Sequence, residues 1–201
     1  QALACDVLVI DDASSDDTRA RAAEAGAITL RLPLGLGAWG ATQTGIRYAF
    51  RHGYDSVIAL DADGQHLPET LPTLFATQAA HGADVVIGTC VERLSRAKRV
   101  AWWYLRLLTG LRIADLTSGL RLYDRRAIEL LAGPDASLLD YQDIGVLMLL
   151  ARKGLRIEET PVPMRERRAG HSRVFASWPC SSPPPARKQR HASAPRAVHA
   201  S

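Results

Sequence analysis

Apolar and polar positions alternate along this chain in blocks that switch between two periods. Short apolar, partly β-branched runs at Cys5–Ile10, Ala27–Leu32, Asp55–Leu60, Asp84–Gly88 and Leu155–Thr160 read as buried strands. Between them lie segments with helical spacing: from Ser14–Ser15 to about Ala25, from about Thr42 to His52, and from Pro68 to His81. Two more run from Asp124 to about Leu131 and from about Asp140 to Lys153. Ser14 or Ser15 can cap the first helix, Pro68 suits the first turn of the third, and Asp124 can cap the fourth. Strands alternating with helices predict an α/β domain, a mostly parallel sheet with helices on both faces. Ser95–Gly110 is amphipathic, with Trp102, Trp103 and Tyr104 among arginines, and reads as core packing before a membrane-surface helix. From about Ala176 the apolar period stops and Pro, Ser, Ala and Arg dominate, with five of the eleven prolines, which predicts a disordered tail over 176–201 behind a domain at 1–175.

Composition narrows the class. With 201 residues, 47% hydrophobic and 23% charged, the chain can bury a substantial core. No run reaches the roughly 20 apolar residues of a membrane-spanning helix. Cys5, Cys90 and Cys180 are odd in number and lack metal-ligand spacing, so they suggest neither disulfides nor a zinc site. The net charge of +4 is unevenly placed: residues 1–164 carry 17 basic and 20 acidic side chains, residues 165–201 carry 8 and 1. A basic end of this kind attracts phosphates or is simply solvated.

The candidate chemistry gathers at strand ends. Leu60-Asp61-Ala62-Asp63-Gly64-Gln65-His66 follows the Asp55–Leu60 strand, and Gly64 and Pro68 stop that strand. If the segment stays extended, Asp61, Asp63 and Gln65 face one way and offer oxygen donors to a hard cation such as Mg²⁺ or Mn²⁺. The bland reading is a polar turn. Asp11-Asp12 closes the first strand, where a carboxylate can accept from a base N–H or a ribose hydroxyl. Gly35, Gly37 and Gly40 fit G-x-G-x-x-G, a weak match that reads as a tight loop before a helix. Asp115-Leu116-Thr117-Ser118-Gly119-Leu120-Arg121 is a polar turn leading into an extended piece.

In this order, Val9 to Thr18, Leu36-Gly37 through Gln43-Thr44-Gly45, Leu60 to His66 and Thr117 to Arg121 resemble the family 2 glycosyltransferases. With Pro161 to Arg165 and Arg167-x-x-Gly170-x-Ser172, the likeness is to their dolichyl- or polyprenyl-phosphate sugar transferase branch, and it covers roughly residues 3 to 175. The resemblance implies a GT-A-like nucleotide-diphospho-sugar transferase fold and metal-dependent, inverting transfer of a sugar to a polyprenyl phosphate. It implies that Asp11, Asp12, Asp61 and Ser118 bind the donor and that Asp61, Asp63 and Gln65 hold Mg²⁺ or Mn²⁺. Asp63, Arg121 and Asp115 become the candidate catalytic residues, with Asp115 either orienting an acceptor or anchoring its turn. Arg167 and Ser172 are assigned to the acceptor phosphate. The partners implied are a nucleotide sugar, a polyprenyl phosphate lipid and a membrane surface on the cytoplasmic side, with no nucleic acid. The family's opening strand has no counterpart upstream of Gln1, so the sheet is expected to lack it. Val7–Ile10 and Val57–Leu60 should then pair directly or stand apart. Two other readings stay open: an inactive, truncated relative that binds nucleotide weakly, and a phosphohydrolase of the haloacid dehalogenase type built on Asp61-x-Asp63-Gly64.

Overall fold

The computed structural model describes residues 5–90, 113, 115, 118–139 and 144–165. The amphipathic segment Ser95–Gly110, the tail at 176–201, Cys180 and the acceptor candidates Arg167 and Ser172 lie outside them. Among these residues six strands and five α-helices follow one another: β1 Leu8–Asp11, α1 Thr18–Glu24, β2 Ile28–Arg31, α2 Gly37–Arg51, β3 Ser56–Ala59, α3 Leu71–His81 and β4 Val85–Thr89. Then come β5 Arg121–Asp124, α4 Arg125–Ala132, α5 Ile144–Arg152 and β6 Ile157–Pro161.

The strands form two sheets. β1 and β2 are a parallel pair, with Leu8 opposite Ile28 and Asp11 opposite Arg31. The second sheet has the order β3-β5-β4-β6. Its β4 and β6 are parallel, while β5 runs antiparallel to both of its neighbours. The sheet is therefore mixed at its centre: the extended piece after Ser118 enters between β3 and β4 against their direction. β1 and β3 are not paired and belong to separate sheets, the second of the two expected arrangements. They meet instead through a side chain at their entrances, where the Tyr54 hydroxyl donates to the Asp6 carboxylate at 2.5 Å. That bond, first among its causes, pushes the Tyr54 phenol up to about 12, so it remains a donor at neutral pH.

Period-two alternation sorts the second sheet's core. Leu120, Leu122 and Val86 pack toward Leu74 of α3. Val85, Ile87 and Tyr123 pack on the other face against Ile46 of α2, Ile128 and Leu131 of α4 and Leu147 and Leu150 of α5. Both faces are thus covered by helices, which is why β4 is buried along its whole length. α2 spans the two sheets, since its Ala41 joins the small cluster of Ile10 and Leu32 beside β1 and β2. It is pinned to the far side by Trp39 Nε1, which donates to the Ala136 carbonyl at 2.8 Å, and by Gln43 Nε2, which donates to the Leu131 carbonyl at 3.0 Å.

Helix starts differ from expectation at two places. α2 begins at Gly37 rather than near Thr42, so the glycine segment is its first turn. α1 begins at Thr18, with neither Ser14 nor Ser15 as its cap. Both shifts trace to carboxylates at the end of β1: the Asp12 side chain accepts from the backbone N–H of Leu36 and Gly37 at 2.6 and 2.9 Å. Ser14 N–H is spent on Asp11 Oδ1 at 2.8 Å. Asp124 caps α4 as its position predicts, accepting from Ala127 N–H at 2.8 Å.

Candidate functional site

Strands β3, β4 and β6 end on one edge of the second sheet, and β5 begins there. In open α/β sheets this carboxyl edge is where ligands bind. Ala59 stands opposite Arg121, and Ile87 stands opposite both Arg121 and Glu159, so Arg121 and Glu159 project from the same face at either side of Ile87. Arg121 is only 2% exposed, and its Nε donates to the Ser118 carbonyl at 3.0 Å. A buried guanidinium requires hydrogen-bond acceptors, of which the Ser118 carbonyl is one, and the acids Asp61, Asp115 and Glu159 lie at the same edge.

Each approach to the edge is anchored. The Ser118 hydroxyl donates to the Gly88 carbonyl at the end of β4 and accepts from Leu120 N–H at 3.3 Å. Asp115 is buried, and its N–H donates to Glu159 Oε1 at 3.0 Å. Asp61 lies against Gly119, the residue between Ser118 and Leu120. The structure therefore brings Asp61, Ser118, Arg121 and Asp115 to one place.

Beyond Asp61 the chain does not stay extended. Gly64 adopts φ +74° and the Asp63 carboxylate accepts from Gln65 N–H at 3.0 Å, an Asx turn of the kind a short Asp or Asn side chain forms. A turn, rather than strand alternation, thus keeps Asp63 and Gln65 at the edge. Gln65 is held from the other side by the exit of β6: Arg165 N–H donates to the Gln65 carbonyl at 2.9 Å, and His66 forms a bridge with Met164. The Gln65 amide nitrogen faces the Arg165 carbonyl at 3.5 Å. Through Arg165 the chain that continues toward Arg167 starts from this turn.

Asp11 and Asp12 sit at the exit of β1, in the other sheet. Asp11 is 3% exposed. Hydrogen bonding from Ser14, hydroxyl first and backbone N–H next, holds its carboxyl below the usual range against the cost of burial, and Arg31 at 3.8 Å adds attraction. Asp12, by capping α2, places its negative charge at the positive end of a 15-residue helix. Between α1 and this pair, Ala13 takes φ +58°, a left-handed conformation that costs a β-carbon residue about 1–2 kcal/mol. Ala13→Gly should therefore stabilise the fold by about 0.5–1 kcal/mol net of glycine's greater unfolded-state entropy. A higher urea midpoint at unchanged slope is the expected readout, and a lower midpoint would refute it.

The donor set fits a divalent cation that shares its shell with phosphate oxygens. Asp61, Asp63 and the Gln65 amide offer hard oxygen ligands beside the strand end. Among the described residues no three His, Cys, Asp or Glu side chains form a closed cage. One or two carboxylates plus ligand phosphates is the usual arrangement for such an ion.

Two contributors escaped the sequence reading. Glu159 reads there only as part of a strand, although β6 alternation puts it on the same inward face as Ile157, an unusual place for an acid. Gly119 reads only as a turn glycine.

Comparison with known proteins gives the family and the fold. The Glycosyl transferase family 2 model matches residues 1–130. The chain is 37% identical over 189 residues to an undecaprenyl-phosphate mannosyltransferase of Micrococcus luteus, covering 84% of this chain and 75% of that protein. It is 31% identical over 196 residues to a polyprenol monophosphomannose synthase of Mycolicibacterium smegmatis, covering 85% and 71%. The crystal structure of glucosyl-3-phosphoglycerate synthase from Mycobacterium tuberculosis with Mn²⁺ and uridine-diphosphate-glucose superposes with a TM-score of 0.61 at 23% identity, over 85% of this chain and 62% of that one. The fold is thus of the GT-A type, and this chain spans less than two thirds of that solved chain. An Asp-x-Asp turn at a carboxyl edge, a buried arginine beside it and a family model covering most of the chain lead to one conclusion: the protein belongs to glycosyl transferase family 2.

Proposed function

We propose that this chain transfers a sugar from a nucleotide-diphosphate donor to a polyprenyl phosphate, with inversion at the anomeric carbon, at the cytoplasmic surface of a membrane. The observation that carries the reading is the convergence of Asp61 with the Ser118–Arg121 segment beside the Asp63–Gln65 turn. The two mannosyltransferase relatives support the acceptor class by name. Among the described residues no helix is long and apolar enough to cross a membrane.

Asp61, Asp63 and Gln65 would hold Mg²⁺ or Mn²⁺, which when bound neutralises charge on the donor diphosphate. Asp11 and Asp12 would face the base and ribose, and Ser118 would set the backbone beside the phosphates. As the glycosidic bond breaks, negative charge builds on the departing diphosphate. A guanidinium already fixed in place, that of Arg121, stabilises that charge more in the transition state than in the ground state. The acceptor phosphate is anionic at neutral pH and needs no strong base, so Asp115 would orient it or hold its turn. Arg167 and Ser172 follow the Gln65-bound Arg165 in sequence and would bind the acceptor phosphate.

The test is a transfer assay on the full-length gene product with UDP- and GDP-linked hexoses and undecaprenyl phosphate in detergent. A lipid-linked sugar of inverted anomeric configuration, lost with chelator, is the expected result. Donor binding without transfer would favour the inactive relative. Release of inorganic phosphate would instead favour the phosphohydrolase, although Glu158–Glu159 lies inside β6 rather than on a loop.

A further inference from the structure

We propose that Gly119 is a positioning residue of this site: the space left by its missing side chain is the seat of the Asp61 carboxylate. The inference rests on the reading of Asp61 as a ligand of the donor and its metal.

The register of β3 and β5 sets up the contact. Ala59 is opposite Arg121, and the same antiparallel register carried two residues outward sets Asp61 opposite Gly119, with both positions on one face. A β-carbon built on Gly119 would lie 2.9 Å from Asp61 Cγ and 3.2 Å from Oδ1, and nearer still to Oδ2. All three nearest atoms belong to that one carboxylate. Gly119 is not among the glycines with positive φ, so its backbone is open to any residue. Occupied space, and not backbone conformation, calls for glycine here.

The glycine side of the contact cannot retreat. Ser118 is tied to Gly88 through its hydroxyl, its carbonyl accepts from Arg121 Nε at 3.0 Å, and Leu120 is fully buried. An alanine at 119 must therefore displace the Asp61 side chain. The displaced carboxylate leaves both the metal turn and the face it shares with Arg121. Gly119 thus sets where the first acid of the Asp-x-Asp turn points, from the segment just ahead of β5, more than fifty residues away in sequence.

A double-mutant cycle on the full chain tests this. Wild type, Gly119→Ala, Asp61→Ala and the double variant are compared by urea unfolding and by Mn²⁺ titration in the presence of UDP or GDP, followed by the paramagnetic signal of free Mn²⁺. The expected result is that Gly119→Ala lowers the unfolding midpoint in the wild-type background but not when residue 61 is already alanine. Mn²⁺ affinity should fall at least tenfold in each single variant and no further in the double. If Gly119→Ala alone does not fold, the double variant should fold, because the clash is gone. An equal loss of stability in both backgrounds, or Mn²⁺ affinity within twofold of wild type in Gly119→Ala, overturns the seat. Unchanged Mn²⁺ affinity in Asp61→Ala overturns the ligand reading, and with it the purpose given to the seat, even where the stability coupling is observed.

Discussion

Asp63→Asn should abolish metal-dependent nucleotide binding while leaving the fold intact. The amide is nearly isosteric with the carboxylate and can still accept from Gln65 N–H, so the turn that presents residues 61–65 survives. What is lost is a negative oxygen beside a doubly charged cation. Even partners one shell out from a metal typically cost 10–100-fold in affinity, so removal of a ligand charge should cost at least about 100-fold. Calorimetry with Mn²⁺ and UDP or GDP measures the effect, with the unfolding midpoint as control. Affinity unchanged from wild type would remove Asp63 from the site.

Arg121→Ala should be among the most destabilising single substitutions in the protein. Arg121 opens β5 at the centre of the second sheet, between Ala59 and Ile87, and is 2% exposed. Its truncation takes the donor from the Ser118 carbonyl and leaves a cavity where a long side chain stood. It also removes the positive charge from an edge where Asp61 and, across Ile87 on the same face, Glu159 bring negative charge. Truncating a large buried side chain costs about 2–5 kcal/mol and orphaning a buried acceptor about 1–3 kcal/mol, a large share of the roughly 5–15 kcal/mol that holds a domain folded. Arg121→Lys keeps the charge but not the planar fork, so it should recover most of the stability and little of the sugar transfer. Urea unfolding of the three proteins decides it, and a loss below about 1 kcal/mol for the alanine variant would contradict the assignment.

That the third strand stops and presents carboxylates at its end was legible because its signals are local. A β-branched apolar run, then Asp, Gly and Pro in sequence, can only be a strand that stops and presents carboxylates. Asp124 as the cap of α4 was legible for the same reason: cap and helix are three residues apart. Strand and helix types elsewhere followed from period two against period 3.6, which is set by each residue's immediate neighbours.

Tertiary structure alone decided what depends on distant backbone groups. Nothing near Leu36 tells that a helix can begin there, because the acceptors for its first N–H groups come from Asp12, 24 residues earlier. The antiparallel entry of β5 is likewise invisible locally: its hydrogen bonds run to strands that end some thirty and sixty residues before it. That entry places Gly119 against Asp61 and Arg121 beside Ile87 and Glu159. The chain's own letters determined which residues could do the chemistry, since residue type and turn propensity are local properties. Which of them meet was decided by strand order and register, where one two-residue shift would have paired Asp61 with a side chain instead of a space.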